Sequence, residues 1–260
     1  MARKRRDTNL PAPFLKRLTL IADRMGDRKS YPMNLPWLDP DRFELTFDTP
    51  VTIIVGENGS GKSTLIEGIA ALAGYDEAGG GKGYKPVDHS MAVDVSGAGL
   101  AQALRAGWLP KVTDGWFFKA ESFFSVARYL DEAAQLDPFK PPPPDFLSHS
   151  HGEGFIRFFE ERMARQGIYF MDEPESALSP NRQRELLCVL AGIQEAATAQ
   201  VIMATHSPIL MAVPGATVLE MTRLGPEPVA FEDTAHFKLY RDFVSDPTAF
   251  VDAALAEARP

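Results

Sequence analysis

The run Val51-Thr-Ile-Ile-Val55-Gly56-Glu-Asn-Gly-Ser-Gly-Lys62-Ser63-Thr64 decides the fold. Val51 to Val55 is a near-continuous β-branched stretch, the composition of a strand buried on both faces. Beyond the glycines, Leu65, Ile66, Ile69, Leu72 and Ala73 recur at helical spacing. Between strand and helix, Gly56, Glu57, Asn58, Gly59, Ser60, Gly61, Lys62 and Ser63 fit the pattern G-x-x-x-x-G-K-S/T, with Thr64 following. At average residue usage, that pattern arises by chance in roughly one chain of this length in a hundred. Its chemistry is that of a phosphate cradle. The glycines let successive backbone N–H groups converge on phosphate oxygens, and the helix N-terminus adds about half a positive charge. Lys62 is then placed to reach the β- and γ-phosphates, with the Ser63 hydroxyl available to a magnesium ion.

Outward from this unit the chain reads as strands first and alternating elements later. Leu15 to Ile21 and Phe43 to Phe47 are short, partly alternating runs, and Trp116 to Phe118 is another strand candidate. Phe155 to Met163 reads as an amphipathic helix, with Arg157, Glu160, Glu161 and Arg162 for its wet side. Ile168 to Met171 is a buried strand and Leu186, Leu190, Ile193 and Ala197 mark a helix. Gln200 to Ala204 and Val218-Leu219 are further strands, ahead of a helical tail from about residue 232 to 260. Strands alternating with helices of this length predict an α/β fold on a mainly parallel sheet. An antiparallel β region should precede it, and a helical subdomain should occupy about residues 75–165 of a single 260-residue domain. Within that segment Glu121 to Leu136 is helix-compatible, and Lys140 followed by Pro141 to Pro144 is a stiff extended connector. Gly79-Gly-Gly-Lys82-Gly83 mimics a phosphate loop, but no buried strand precedes it and no Ser or Thr follows the lysine. It reads as a flexible loop.

Composition limits the function classes. The chain is 45% apolar and 24% charged, which fits a globular protein and excludes a disulfide scaffold or a disordered polymer. No stretch approaches the ~18 apolar residues of a membrane span. One cysteine, Cys188, cannot form an internal bridge and suits a reducing, cytoplasmic compartment. Residues 1–29 carry nine Lys/Arg against three Asp, or +6, so a net charge of −8 leaves −14 on the remainder. A body that acidic opposes broad, non-specific binding to a nucleic-acid backbone. The basic tail, residues 1–9, reads as a solvated terminus.

A second constellation completes the first. Ile168-Tyr-Phe-Met-Asp172-Glu173 is an apolar strand ending in two carboxylates, about 110 residues after the phosphate loop. Asp172 at the strand's carboxyl end suits a magnesium shell, and Glu173 suits polarisation of an attacking water.

These runs resemble those of the ABC-type ATPases, and the resemblance spans most of the chain. Gly56 to Thr64 matches that family's phosphate loop, and Asp172-Glu-Pro-Glu-Ser-Ala-Leu178 its D-E-P-(T/E)-S-A-L segment. Ala204-Thr-His206-Ser207 is similar to the switch-histidine region, and Ser150-His151-Gly152-Glu153 stands where the family has its signature. The resemblance implies an Mg²⁺-dependent ATPase in which Lys62 binds phosphate, Ser63 and Asp172 bind metal, Glu173 is the base and His206 meets the γ-phosphate. It also implies that Ser150, His151, Gly152 and Glu153 act in trans, so that two copies sandwich two ATP head to tail. His151 and Glu153 replace the family's usual Gly and Gln, and Ser179-Pro180 stands where transporters have Asp. No clear lid glutamine is found; Glu121 follows the strand where it should lie and is the candidate, and Tyr31 is the candidate for adenine stacking. The closest pattern is that of small stand-alone bacterial ATPases often filed as AAA family. A transporter's nucleotide-binding subunit, a DNA-repair or defence-associated ATPase and a non-catalytic sensor remain open, as does an unknown protein or nucleic-acid partner. The 88 residues from Lys62 to Ser150 hold no heptads, so a coiled-coil arm has no place there.

Overall fold

The computed structural model describes residues 10–82, 96–112, 114–120 and 151–257. Its strands are β1 (Leu15–Leu20), β2 (Glu44–Thr46), β3 (Val51–Val55), β4 (Gly80–Gly81), β5 (Leu104–Trp108), β6 (Gly115–Lys119), β7 (Ile168–Asp172), β8 (Gln200–Ala204), β9 (Thr217–Thr222) and β10 (Gly225–Pro228). Its α-helices are α1 (Lys62–Ala73), α2 (Ser96–Ala103), α3 (His151–Met163), α4 (Pro180–Ala196), α5 (Pro208–Met211), α6 (Ala235–Ser245) and α7 (Pro247–Glu257).

Seven strands form one sheet in the order β10-β9-β3-β8-β7-β6-β4. The five inner strands are parallel, and β10 and β4 pair antiparallel at the two edges. All of β3, β7 and β8 is buried, as continuous apolar runs predict for a sheet covered on both faces. The pleat divides these strands between two cores. Val51, Ile53, Val55, Tyr169, Met171, Val201 and Met203 face α4 and α3, meeting Leu186, Leu190 and Phe159. Ile54, Phe170, Ile202 and Ala204 face α1 and the second sheet, meeting Leu65, Ile69 and Leu18. On the first face α3 stacks Phe158 edge-on against Trp116 at 4.9 Å and Phe159 against Phe118 at 5.1 Å. Arg162, expected on the wet side of α3, lies over the Trp116 ring at 5.2 Å instead.

The second sheet is antiparallel, in the order β2-β1-β5. Two of its strands were legible in the sequence. β5 is drawn in from beyond α1, following α2 without a break. A buried glutamine joins the two sheets. Gln200, fully buried at the start of β8, accepts from the backbone N–H of Phe14 and Leu15 at 2.8 Å each and donates to Leu15 O at 3.0 Å.

Of the segment expected as a helical subdomain, the described residues hold β4, α2, β5, β6 and the helix α3. The expected helix over Glu121 to Leu136 and the connector at Pro141 to Pro144 lie outside the described residues. Where a flexible loop was expected at Gly79 to Gly83, Gly80–Gly81 form the short strand β4, held by pairing with β6. Lys82 donates to Ala73 O at 3.3 Å, where the negative end of α1 favours a cation.

Candidate functional site

Parallel pairing brings the carboxyl ends of β3, β6, β7 and β8 to one edge of the sheet. Register makes them level: Lys119 lies opposite Asp172, Asp172 opposite Ala204, and Ala204 opposite Ile54. The residues that follow these four ends therefore meet, in the crevice where open α/β sheets bind ligands.

The loop after β3 bends through glycines. Gly59 and Gly61 have φ of +77° and +93°, a region that side-chain-bearing residues disfavour. At Gly61 there is also no room: a Cβ would meet the Trp37 ring at 3.0 Å. Trp37, almost wholly buried, underpins the loop from outside by donating its indole N–H to Ser60 O at 3.0 Å. Glu57, Asn58 and Gly59 form the exposed rim. Lys62 is only 4% exposed, and its Nζ donates to Gly56 O at 2.8 Å and Glu57 O at 3.0 Å. Burial pushes its ammonium below the ordinary lysine range, against the opposing pull of Glu173, Asp172, Glu57 and Glu175.

Across the crevice, β7 ends on Asp172, and Glu173 follows in a left-handed conformation with φ 48°. Its N–H donates to Ala204 O at 3.0 Å, which tethers the turn to β8. Asp172 is pushed up to about 7, chiefly by burial; Lys119 and a hydrogen bond from Ser63 pull it down, while Glu173 and Glu67 push it up. Ser63, Lys119, Ala120, Asp172, Glu173, Ser176 and Ala177 line a cavity of about 300 Å³. The Nε2 of His206 lies 3.5 Å from Glu173 Oε1. The predicted residues Lys62, Ser63, Asp172, Glu173 and His206 are thus neighbours across one crevice.

A magnesium ion fits this site on its own chemistry. Asp172 Oδ1 is a buried carboxylate oxygen with no hydrogen-bond partner among the described residues, beside the Ser63 hydroxyl. Hard oxygen donors of this kind, one carboxylate and one hydroxyl, are how magnesium is held beside substrate phosphates. Ser60 Oγ and His206 Nε2 are likewise buried without a hydrogen bond to the described residues.

Several residues around the crevice were given no role by the sequence. Lys119 ends β6 and pairs with Glu67 of α1 at 2.6 Å, both largely buried. Glu175 accepts from the Thr205 hydroxyl at 2.7 Å and from the His206 N–H, which fixes the histidine loop by its backbone. Gln183 of α4 accepts from the Ser207 hydroxyl at 2.6 Å, and that oxygen in turn caps α5 by accepting from Ile209 and Leu210 N–H. His236 of α6 places Nε2 3.0 Å from His206 Nδ1. A polar residue beside an apolar strand end was the signal available for Lys119; His236 left none.

Among the other predicted positions, Tyr31 is 56% exposed and its hydroxyl hydrogen-bonds Thr64 Oγ1 at the start of α1. Ser150 and Glu121 lie outside the described residues. His151, Gly152 and Glu153 form the first turn of α3, which begins four residues before the Phe155 start expected from sequence.

Two sequence-family models match the chain, one on each half of this site. Residues 31–103, with the phosphate loop, match "AAA domain". Residues 140–212, with Asp172, Glu173 and His206, match "AAA domain, putative AbiEii toxin, Type IV TA system". No curated protein matches the chain. Among solved structures, a "putative metal-chelate type ABC transporter" in an inward-facing conformation is similar at 17% identity and TM-score 0.43, covering 74% of this chain and 77% of that one. CbiO1 from Clostridium perfringens, part of the ABC transporter complex CbiONQ, is similar at 17% identity and TM-score 0.42, covering 82% and 90%. The SmcHead bound to the C-winged helix domain of ScpA is similar at 16% identity and TM-score 0.42, covering 84% and 97%. The glycine loop after β3 and the strand-end carboxylates thus stand on one sheet edge, and each lies in a stretch of the chain similar to an AAA domain.

Proposed function

We propose that this chain hydrolyses ATP with Mg²⁺ and that ATP joins two copies head to tail. The observation that carries the reading is Glu173. Its carboxylate is partly exposed to a cavity shared with Ser63 and Asp172, and lies 3.5 Å from His206 Nε2. That is the arrangement of a base which must reach a water beside a phosphate held by its neighbours.

In this reading the loop N–H groups and Lys62 bind the β- and γ-phosphates, and Ser63 and Asp172 hold the metal. Magnesium supplies charge neutralisation on the phosphate oxygens. Glu173 orients the water and accepts its proton as the new oxygen–phosphorus bond forms and the bond to ADP breaks. His206 presents a ring nitrogen to the γ-phosphate. Lys119, already beside Asp172, keeps the acidic crevice from repelling a polyanion.

Ser150, His151, Gly152 and Glu153 are assigned to the second copy's ATP. The first turn of α3 offers free backbone N–H groups and the positive end of a helix dipole, which suit an anion. Because the trans contact is made to the γ-phosphate, Mg-ADP should not hold the dimer. No described helix is long and apolar enough to cross a membrane. The partner on which the cycle acts is a protein or nucleic acid, in the cytoplasm.

Light scattering on Glu173→Gln with Mg-ATP, with Mg-ADP and without nucleotide tests both halves of the reading. The variant should double its mass only with Mg-ATP, and should turn over roughly 10²–10⁴-fold more slowly than the wild type. A mass indifferent to nucleotide would refute the ATP-joined dimer. Unchanged turnover would refute Glu173 as the base.

A further inference from the structure

The ring of His206 is held from a part of the chain that contains no nucleotide motif. His236, the second residue of α6, sets its Nε2 3.0 Å from His206 Nδ1, with ring centroids 5.2 Å apart. Its position is well anchored. Thr234, fully buried, caps α6 by accepting from Phe237 N–H at 3.2 Å and donates its hydroxyl to Phe231 O at 2.8 Å. Ala235 N–H donates to Glu220 Oε1 at 3.3 Å, and Phe231 packs edge-on against Phe237 at 4.6 Å.

One proton lies between the two rings, and its ownership decides what His206 can do. If His206 Nδ1 carried it, His206 Nε2 would be a lone pair turned towards the Glu173 carboxylate, 3.5 Å away. His236 would then carry its remaining proton on Nδ1, a buried atom with no hydrogen-bond partner. Both ends of that arrangement are unfavourable: lone pairs oppose each other at one, and a donor is orphaned at the other. If His236 Nε2 carries the shared proton, His206 holds its own on Nε2, which makes no geometric hydrogen bond to the described residues but faces the Glu173 carboxylate at 3.5 Å, whose charge attracts it. His236 Nδ1 is then a bare acceptor, which costs less to bury than an orphaned N–H.

We propose that His236 is a positioning residue for His206, donating Nε2–H to His206 Nδ1 and so fixing the tautomer that presents an N–H to the γ-phosphate. Burial, followed by the neighbouring His206, holds His236 below the ordinary histidine range, in keeping with a neutral ring that keeps one donor. The consequence reaches beyond one hydrogen bond. The tautomer of the phosphate-facing histidine is set by α6, so a partner that shifts α6 would change how His206 meets nucleotide. The assignment of a phosphate contact to His206 rests on the proposed ATPase reading; the proton assignment does not.

The test uses the full chain and three forms: wild type, His236→Phe and His236→Gln. Side-chain ¹⁵N shifts of His206, recorded without nucleotide, report which ring nitrogen bears the proton. The wild type should show a protonated Nε2 and a bare Nδ1. His236→Phe, a ring with no donor, should populate both tautomers and lower kcat roughly three- to tenfold, the worth of one net hydrogen bond, with the KM for ATP changed by less than about twofold. His236→Gln, which can still donate, should recover most of the loss. A protonated Nδ1 on wild-type His206 overturns the proposal, as does a folded Phe variant with wild-type tautomer and kcat. If the wild-type spectrum is as expected and no form hydrolyses ATP, the ATPase reading falls and the His236 assignment stands.

Discussion

Replacing Asp172 with Asn should stabilise the protein in the absence of metal and nucleotide, and by more as the pH rises. Asp172 is 8% exposed, and its pKa is pushed up from 3.8 to about 7, mainly by burial. Between those two values the folded protein holds a proton that the unfolded chain has released. Stability therefore falls as pH rises through the window and levels off above about 7. Asn stays neutral throughout and can still accept from Ser63, so it escapes the loss. From pH 5 to pH 8 the group traverses about two pKa units of that window, which corresponds to a gap widening by about 2–3 kcal/mol. For a chain of this size, that is roughly 5–10 °C of difference in unfolding temperature. The assay is thermal unfolding of both forms in chelator at pH 5, 6, 7 and 8. Comparing the two forms at each pH cancels every other titrating group. Saturating Mg-ATP should then reverse the order, because it stabilises only a form able to bind it. A gap that does not change with pH, or a variant less stable than wild type at pH 8, would refute an uncompensated carboxylate at this position.

Two further outcomes test the scaffold under the site. Gln200→Leu keeps side-chain size but leaves two N–H groups and one carbonyl unpaired between the sheets, so urea unfolding should show a loss of about 3–6 kcal/mol. A loss below about 1 kcal/mol would mean that water or another group replaces the glutamine at no cost. Gly61→Ala forces a side chain onto a φ of +93° and a Cβ against Trp37 at 3.0 Å. Fluorescent-nucleotide titration should find ATP affinity lowered roughly tenfold or more, and equal affinity would show that the loop does not need its present path.

What the sequence made legible was set by how tightly chemistry ties residue type to backbone. The phosphate loop was readable because glycines, lysine and hydroxyl each have one function there, and Val51 to Val55 because a strand buried on both faces admits little but apolar residues. Asp172 and Glu173 were readable as charge ending such a strand. α2 was not: Ser96-Gly-Ala-Gly-Leu-Ala-Gln-Ala103 is glycine-rich and carries little helical signal of its own. Its glycines serve packing. A Cβ on Gly97 would lie 2.7 Å from the Cβ of Glu67, and one on Gly68 2.8 Å from Leu100, so α1 and α2 approach as closely as they do because neither has a side chain there. β5 escaped for a related reason: its partner β1 lies more than 80 residues away, and no local pattern records a pairing. The same distance hid Gln200, whose role depends on Phe14 and Leu15.

The histidine loop shows what such long-range contacts add to a motif. Strand register alone brings His206 to the sheet edge where the phosphate loop and Glu173 already stand. It does not fix the ring. Three separate elements do that: Glu175 holds the backbone N–H of His206 and the hydroxyl of Thr205, Gln183 of α4 holds Ser207, and His236 of α6 holds the imidazole. Each contact consists of one or two hydrogen bonds, so a shift of His206 by about 1 Å breaks at least one of them. A γ-phosphate that draws His206 towards it must therefore move α4 or α6, or be resisted by them. Whichever occurs, a contact between His206 and a nucleotide would be felt in α4 and α6 as well as at the crevice.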